Sequence, residues 1–160
     1  MPPRLLRWSC AAACLAFAVP AAQAHPHVWT TMRTAVLAAD GKITGVGLIW
    51  TFDETYTGYA LEGLDLNKNG TFEASEIQPL TDENIKALEE SAYFTSVRQA
   101  GKALSFGPVT QYEQTLDNGK LTLTFVLPLK EAADARAGLV QIKVYDPDFF
   151  ISFDYAPSQP

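Results

Sequence analysis

Hydrophobic and polar residues alternate loosely along two stretches near the front of the chain, residues 27–37 and 42–52. Both stretches are rich in β-branched and aromatic residues, which favour strands. Asp40 and Gly41 lie between them, and an Asp-Gly pair is typical of a two-residue type I′ hairpin turn. The pattern therefore predicts an antiparallel β-hairpin.

The spacing of apolar residues becomes helical between residues 54 and 92. Residues 54–64 are predicted to form one helix. A second helix is predicted to start near Ala74, to be interrupted around Pro79 and to resume at Thr81, since proline lacks an amide N–H. The predicted buried face of this second helix consists of Ile77, Leu80, Ile85, Leu88, Ala92 and Tyr93.

The rest of the chain returns to strand patterns separated by turn residues. The predicted strands are 95–99, 102–106, 109–116, 120–127, 139–145 and 149–155, with a loop over 128–138. The resulting prediction is an α+β fold: a mainly antiparallel β-sheet or sandwich with an EF-hand-like helix–loop–helix insertion after the second strand, at about 54–92. Residues 25–160 are enough for one such domain.

The loop between the two predicted helices carries the strongest chemical signal. Residues 65–76 fit the twelve-residue calcium loop of an EF-hand, and Gly70 occupies the position of its sharp turn. The predicted calcium ligands are Asp65, Asn67, Asn69, Thr71 through its backbone carbonyl, Glu73 and Glu76. Few of these ligands are anionic, so we expect weak binding, on the order of 10⁻⁵ to 10⁻³ M. The alternative is a polar turn that binds no ion.

The first residues have the organisation of a secretory signal peptide. Arg4 and Arg7 form a basic start, an apolar run spans 11–19, and small residues at 22–24 suit a signal peptidase. We predict cleavage after Ala24 and a periplasmic or secreted protein, in a compartment where calcium is abundant enough to fill a weak site. A membrane anchor is the alternative, but the run is short for a hydrocarbon core of about 30 Å.

Removal of that segment would change the thiol content and the charge of the chain. It would take away Cys10 and Cys14, so the mature protein would hold no disulfide and no thiolate metal site. The formal net charge of −6 would become −8, because the segment carries Arg4 and Arg7 and no acid. This acidic balance argues against nucleic acid and anionic membranes as partners and is compatible with cations.

Cleavage after Ala24 would also leave His25 as the new N-terminus, with His27 two residues later. These are the only two histidines in the chain. A free amine and two imidazoles form a ligand set that suits a copper, zinc or nickel ion. The alternative is a histidine pair that binds metal only adventitiously.

The predicted hairpin register suggests which carboxylate completes this histidine site. Counting outward from the turn places Trp29 opposite Phe52 and His27 opposite Glu54. Glu54, or its neighbour Asp53, is therefore the predicted third ligand. A bulge in either strand would shift the pairing by one residue.

Taken together, these residues resemble a secreted bacterial family, the domain of unknown function numbered one thousand and seven. The segments that carry the resemblance are His-Pro-His-Val-Trp at 25–29, Trp-Thr-Phe-Asp-Glu at 50–54, the calcium-type loop at 65–76, Tyr-Phe at 93–94, Leu-Pro-Leu at 127–129 and Tyr-Asp-Pro at 145–147. Members are often labelled as the periplasmic component of an ABC-type transport system and are associated with nickel/cobalt-type permeases. The resemblance implies a role in metal handling, with an inner-membrane metal permease or ABC-type transporter as partner.

Three functions are compatible with these features. The first is a non-enzymatic accessory or solute-binding component for transition-metal handling or transport, whose fold is braced by calcium. The second is a histidine-brace copper enzyme, although the chain has no third histidine and no evident catalytic constellation. The third is a calcium-dependent structural module, for which replacement of His25 and His27 would change nothing in the cell.

Overall fold

The computed structural model describes residues 26–157, so the predicted signal peptide and His25 lie outside the described residues. Within this range the chain forms two α-helices and eight strands, and both helices follow the second strand. The elements are β1 Val28–Ala39, β2 Lys42–Phe52, α1 Glu54–Ala60, α2 Ala74–Glu90, β3 Thr95–Gln99, β4 Lys102–Leu104, β5 Tyr112–Asp117, β6 Lys120–Asp134, β7 Val140–Val144 and β8 Ile151–Tyr155. The predicted α+β class with antiparallel sheets is confirmed.

The hairpin of β1 and β2 is closed by the predicted turn. Asp40 and Gly41 have φ angles of 51° and 75°, both positive as a type I′ turn requires. Ala39 pairs with Lys42, also as predicted. The Asp-Gly pair in the sequence is therefore sufficient to predict where this turn lies.

The register farther from the turn differs from the predicted one. A bulge leaves Thr44 of β2 without a partner on β1, and the pairing beyond it is shifted. Phe52 consequently pairs with Thr30, one residue away from its predicted partner. The predicted pairing of His27 with Glu54 is wrong for the same reason.

Five strands form one sheet in the order β5–β6–β2–β1–β8. Neighbours are antiparallel except β1 and β8, which run parallel. One face carries the core, with Trp50, Leu48, Leu123 and Phe125 all 1% exposed or less. On the opposite face the hydroxyls of Thr51 and Thr122 share a hydrogen bond of 2.9 Å. Alternation along the strands thus gives the sheet one buried and one more polar face.

The remaining strands form a second sheet in the order β4–β3–β7. The region predicted as a loop over 128–138 is largely strand, because β6 continues to Asp134. Its far end returns to the first hairpin, where Ala133 pairs with Ile43 after a shift in register. This long-range pairing has no signature in the local sequence, so the predicted loop is wrong in its first half.

The two helices differ in length from the predicted ones. Helix α1 ends at Ala60, earlier than predicted, and helix α2 runs unbroken through Pro79. Pro79 is exposed in the second turn, where the carbonyl it leaves unpaired belongs to Ser75, itself an exposed residue. Water can satisfy that carbonyl, so the helix does not break. Neither helix within residues 26–157 combines the length and apolarity that a membrane span needs.

Candidate functional site

The loop between α1 and α2 is closed by a side chain from the first turn of α2. Glu76 is 8% exposed. Its Oε1 accepts hydrogen bonds from the backbone N–H of Leu66 at 2.9 Å and of Asn67 at 3.3 Å. Its Oε2 accepts from the backbone N–H of Glu73 at 3.2 Å. One carboxylate therefore ties the start of the loop to its end.

Asp65, the first residue of the predicted ligand set, also forms hydrogen bonds with the backbone of the loop. The two oxygens of Asp65 accept hydrogen bonds from the backbone N–H of Asn69 at 3.1 Å and of Gly70 at 3.0 Å. Gly70 has a φ of 80°, a left-handed conformation that glycine adopts without steric cost. This turn folds the chain back over Asp65.

Three polar side chains meet between these two carboxylates. The Nδ2 groups of Asn67 and Asn69 donate to Glu73 at 3.1 and 2.7 Å. The Oδ1 atoms of the same asparagines accept from the backbone N–H of Asn69 and of Thr71, at 2.9 and 2.8 Å. The hydrogen bond from Asn69 and the contact with the Glu76 side chain, followed by hydrogen bonds from Asn67 and Thr71, lower the pKa of Glu73 to about 2. Glu73 is therefore a carboxylate at any physiological pH.

The chemistry of this donor set fits a hard cation, because every predicted ligand atom is oxygen. Within residues 26–157, however, no three His, Cys, Asp or Glu side chains gather around one point. A cation in the loop would thus need the amide oxygens of Asn67 and Asn69 as well as the acids. The side-chain amides of Asn67 and Asn69 direct their Nδ2 atoms toward Glu73. Both amides would therefore have to rotate before their oxygens could bind a cation.

The histidine end is separate from this loop. His27 is exposed, and its ring lies 5.0 Å from the ring of Phe150. The backbone N–H of His27 donates to the backbone carbonyl of Phe150 at 2.8 Å. Its predicted partner His25 lies outside the described residues. The metal site predicted for these two histidines therefore stays a prediction.

The two carboxylates predicted to join the histidines have other partners. Asp53 accepts from the backbone N–H of Trp29 at 2.8 Å and of Tyr56 at 2.9 Å, and so caps α1. Burial raises the pKa of Asp53, but backbone hydrogen bonds together outweigh it and leave the pKa below its usual value. Glu54 forms an exposed ion pair with Lys120 at 3.7 Å. The structure does not bring these side chains together around His27.

Comparison with known proteins identifies the family. The model of the family described as "Protein of unknown function (DUF1007)" matches residues 10–160. The chain belongs to this family. The resemblance read from the sequence motifs is thereby confirmed.

Two relatives of this DUF1007 chain are described as uncharacterized. The "Uncharacterized 15.5 kDa protein in trpE 3′region" of Spirochaeta aurantia is 30% identical over 96 residues, which cover 60% of the chain and 68% of that protein. An "Uncharacterized protein" of Haemophilus influenzae is 23% identical over 135 residues, which cover 83% of the chain and 64% of that protein. The match thus spans about two thirds of each relative. No solved structure matches the chain.

Sequence reasoning missed two features of this DUF1007 domain. One is the cap made by Asp53, which did have a signal, since Asp directly before a helix is a preferred N-cap. The other is an apolar cavity between α2 and the buried face of the large sheet. Its only signal is the pair of small residues Ala87, on α2, and Ser91, the C-cap of α2, which lie about one helical turn apart.

Proposed function

We propose that residues 65–76 form a calcium-binding loop that fixes α1 and α2 on the sheet of a secreted, periplasmic metal-handling protein. The observation that carries the proposal is a pair of hydrogen bonds. The Glu76 carboxylate accepts one from the backbone N–H of Leu66, and the Asp65 carboxylate accepts one from the backbone N–H of Gly70. These contacts support the proposal because they draw the two ends of the loop together. The cation would take its oxygens from Asp65, Asn67, Asn69, Thr71, Glu73 and Glu76.

The charges of the loop support a cation as its occupant. Three of the predicted ligands are acids, and Glu73 and Glu76 contact each other through their side chains. Two adjacent carboxylates repel unless a proton or a cation lies between them. With two neutral amides in the set, we expect the affinity to lie between about 10⁻⁵ and 10⁻³ M.

The attachments of the two helices support a bracing role for calcium over a switching role. On α1, the hydroxyl of Thr57 accepts from the backbone N–H of Leu121 at 3.0 Å. On α2, the hydroxyl of Thr81 lies 3.3 Å from the side chain of Gln114. Each helix is thus joined to a different strand of the large sheet. An ion in the loop between α1 and α2 would therefore stabilise helix positions that these hydrogen bonds already fix.

The transition-metal part of the proposal belongs to His25 and His27. The exposed ring of His27 is accessible to a copper, zinc or nickel ion at the surface. A membrane partner, such as a metal permease or an ABC-type transporter, would receive or supply that ion. The acidic charge of the chain is compatible with this cationic cargo.

Calcium-dependent unfolding tests the bracing role. Because a ligand that binds only the folded state stabilises it, calcium at a hundred times its Kd should add about 2.7 kcal/mol, a rise in Tm of roughly 5–10 °C. Glu76→Gln should abolish most of this rise. Glu62→Gln, which removes the same charge just ahead of the loop, should keep it. Equal rises in both variants would refute the proposed ligand set.

A further inference from the structure

The turn between β7 and β8 is held together by one buried carboxylate. Asp146 is 7% exposed. Its Oδ1 accepts a hydrogen bond from the backbone N–H of Asp148, and its Oδ2 accepts from those of Phe150 and Ile151, each at 2.9 Å. Hydrogen bonds to a charged acceptor are stronger than those between neutral groups. The carboxylate of Asp146 therefore fixes the backbone of this turn up to the first residue of β8.

The same turn contains a backbone position that needs this support. Phe149 has a φ of 58°, in the left-handed region that non-glycine residues seldom occupy. Such a conformation persists where the surrounding contacts enforce it. The two residues after Phe149 are those whose N–H groups donate to Asp146 Oδ2. The carboxylate of Asp146 thus stabilises a turn that its own sequence does not favour.

Phe150 connects this turn to the histidine end of the chain. Its carbonyl accepts hydrogen bonds from the backbone N–H of His27 at 2.8 Å and of Val28 at 3.3 Å. Its ring centroid lies 5.0 Å from that of His27, and the two ring planes are 35° apart. His27 is therefore held by Phe150 through both its backbone and its ring.

The ring contact is compatible with metal binding by His27. With planes 35° apart, the two rings meet largely through their faces. An imidazole binds a metal ion through a nitrogen at the ring edge, so a neighbour on the face does not block that nitrogen. A metal-bound imidazole also carries positive charge, which the face of an aromatic ring attracts. Phe150 can therefore hold the ring of His27 while the ion binds.

Prior placement of His27 matters because of its position in the sequence. The first residues of a domain are poorly ordered unless other parts of the chain hold them. A ligand two residues from the predicted terminus at His25 would otherwise lose conformational freedom when the ion binds, which lowers the affinity. The contacts with Phe150 restrict His27 before any ion arrives.

We propose that Asp146 and Phe150 are positioning residues for the histidine metal site. The carboxylate of Asp146 holds the turn, and the turn holds Phe150 against His27. This inference rests on the transition-metal part of the proposed function and is independent of the calcium loop. Neither Asp146 nor Phe150 binds the ion itself.

The test uses Cu²⁺ as the probe, because nitrogen sites bind it more tightly than nickel or zinc. Calorimetric titration of the chain that starts at His25 should show one site. Phe150→Ala should weaken it by about 10- to 100-fold, as loss of a group that orients a metal-bound histidine does. Phe150→Tyr keeps the ring and should restore the parent affinity. Phe149→Ala removes the neighbouring ring, which is 69% exposed, and should also retain it.

A second pair of variants tests the carboxylate. Asp146→Asn removes the charge and one acceptor oxygen, so it should weaken Cu²⁺ binding in the same direction. Asp148→Asn, at an exposed residue of the same turn, should not. If Asp146→Asn loses the spectral dispersion of a folded protein, the variants of Phe150 decide alone.

NMR spectra of the metal-free chain give a readout that does not depend on the ion. The chain has two histidines, so His25→Gln leaves His27 as the one imidazole signal. The ring current of Phe150 should displace the His27 ring protons from their positions in an unfolded chain. Phe150→Ala should abolish this displacement, and Phe149→Ala should preserve it.

The outcomes separate this inference from the function on which it rests. Equal Cu²⁺ affinity in the parent chain and in Phe150→Ala would overturn the positioning role and leave the histidine site intact. A His27 signal that Phe150→Ala does not move would overturn the contact itself. No saturable Cu²⁺ binding by the parent chain would refute the histidine site, and the positioning role with it.

Discussion

The carboxylate of Glu76 accepts a hydrogen bond from the backbone N–H of Leu66 at 2.9 Å, across the whole loop that separates the two helices. The same carboxylate also accepts from Asn67 and Glu73. These three amides are part-buried, and loss of a charged acceptor leaves them poorly satisfied. The loop therefore depends on this side chain even before any ion is bound.

The first prediction concerns stability without calcium. In the presence of a chelator, we expect Glu76→Ala to lower the free energy of unfolding by about 1–3 kcal/mol, because three amides lose their acceptor. The exposed residue Glu62 provides the control, and Glu62→Ala should stay within about 0.5 kcal/mol of the wild type. Urea unfolding followed by circular dichroism measures both. Equal stabilities would mean that the contacts of Glu76 do not hold the loop.

Two glycines of β2 provide a second prediction. A Cβ added at Gly45 would lie 2.7 Å from the carbonyl oxygen of Leu127 and 3.3 Å from the Cα of Pro128, both backbone atoms of the neighbouring strand. At Gly47 the nearest atom would be the Cβ of Ala35 at 3.6 Å, an ordinary contact. Gly45→Ala should therefore destabilise the domain by about 1–3 kcal/mol through overpacking.

The matched control for that substitution is Gly47→Ala. It should be neutral, or stabilising by about 0.4–1 kcal/mol through the lower entropy of the unfolded chain. Thermal unfolding compares the two variants. If Gly45→Ala were as stable as Gly47→Ala, the close approach of β2 and β6 at the bulge would be wrong.

A third prediction is a pH dependence at the cap of α1. The pKa of Asp53 is below its usual value of 3.8. A carboxyl whose folded-state pKa is lowered contributes stability above its unfolded-state pKa, and this contribution is lost as the pH falls through the folded-state pKa. Asp53→Ala should therefore cost about 1–2 kcal/mol at pH 7 and distinctly less at strongly acidic pH.

The neighbouring residue tests the specificity of this effect. Glu54→Ala removes only an exposed ion pair with Lys120, so it should change stability by less than about 1 kcal/mol at any pH. Denaturant unfolding of the wild type and of both variants, at neutral and at acidic pH, gives the four changes in the free energy of unfolding. A constant deficit for Asp53→Ala across this range would show that the charge of the carboxylate is irrelevant to the cap.

The parts of the fold that local chemistry determines were predictable from sequence. Asp40 and Gly41 predicted the first turn, and alternation predicted the strands. The bulge at Thr44 was not predicted, although Gly45 beside it is the kind of residue that marks one in a strand. Because register depends on this single extra residue, the predicted pairing of Trp29 with Phe52 was wrong by one residue.

Features that depend on distant parts of the chain could not be predicted. The parallel pairing of β1 with β8 joins Val28 to Ile151. The continuation of β6 depends on Ala133 meeting Ile43. The cavity exists because Trp50 and Leu123 of the sheet and Ala87 of α2 enclose space together. None of these relations leaves a periodic pattern in any one segment, so only the folded chain reveals them.

The fourth prediction addresses the transition metal. For the chain that starts at His25, we expect one copper, zinc or nickel ion per molecule, bound by the terminal amine and imidazoles. His27→Ala, or one extra residue ahead of His25, should remove it. Glu54→Gln is the comparison, because the side chain of Glu54 forms an ion pair with Lys120. Retention of the ion in both His27→Ala and the extended chain would exclude this site.

Calorimetric titration of calcium into the chelator-treated protein tests the central claim most directly. The account predicts one site per chain with a Kd between about 10⁻⁵ and 10⁻³ M, weakened at least about tenfold in Glu76→Gln and unchanged in Glu62→Gln. Absence of any saturable heat at millimolar calcium, or an isotherm that Glu76→Gln leaves unaltered, would contradict it.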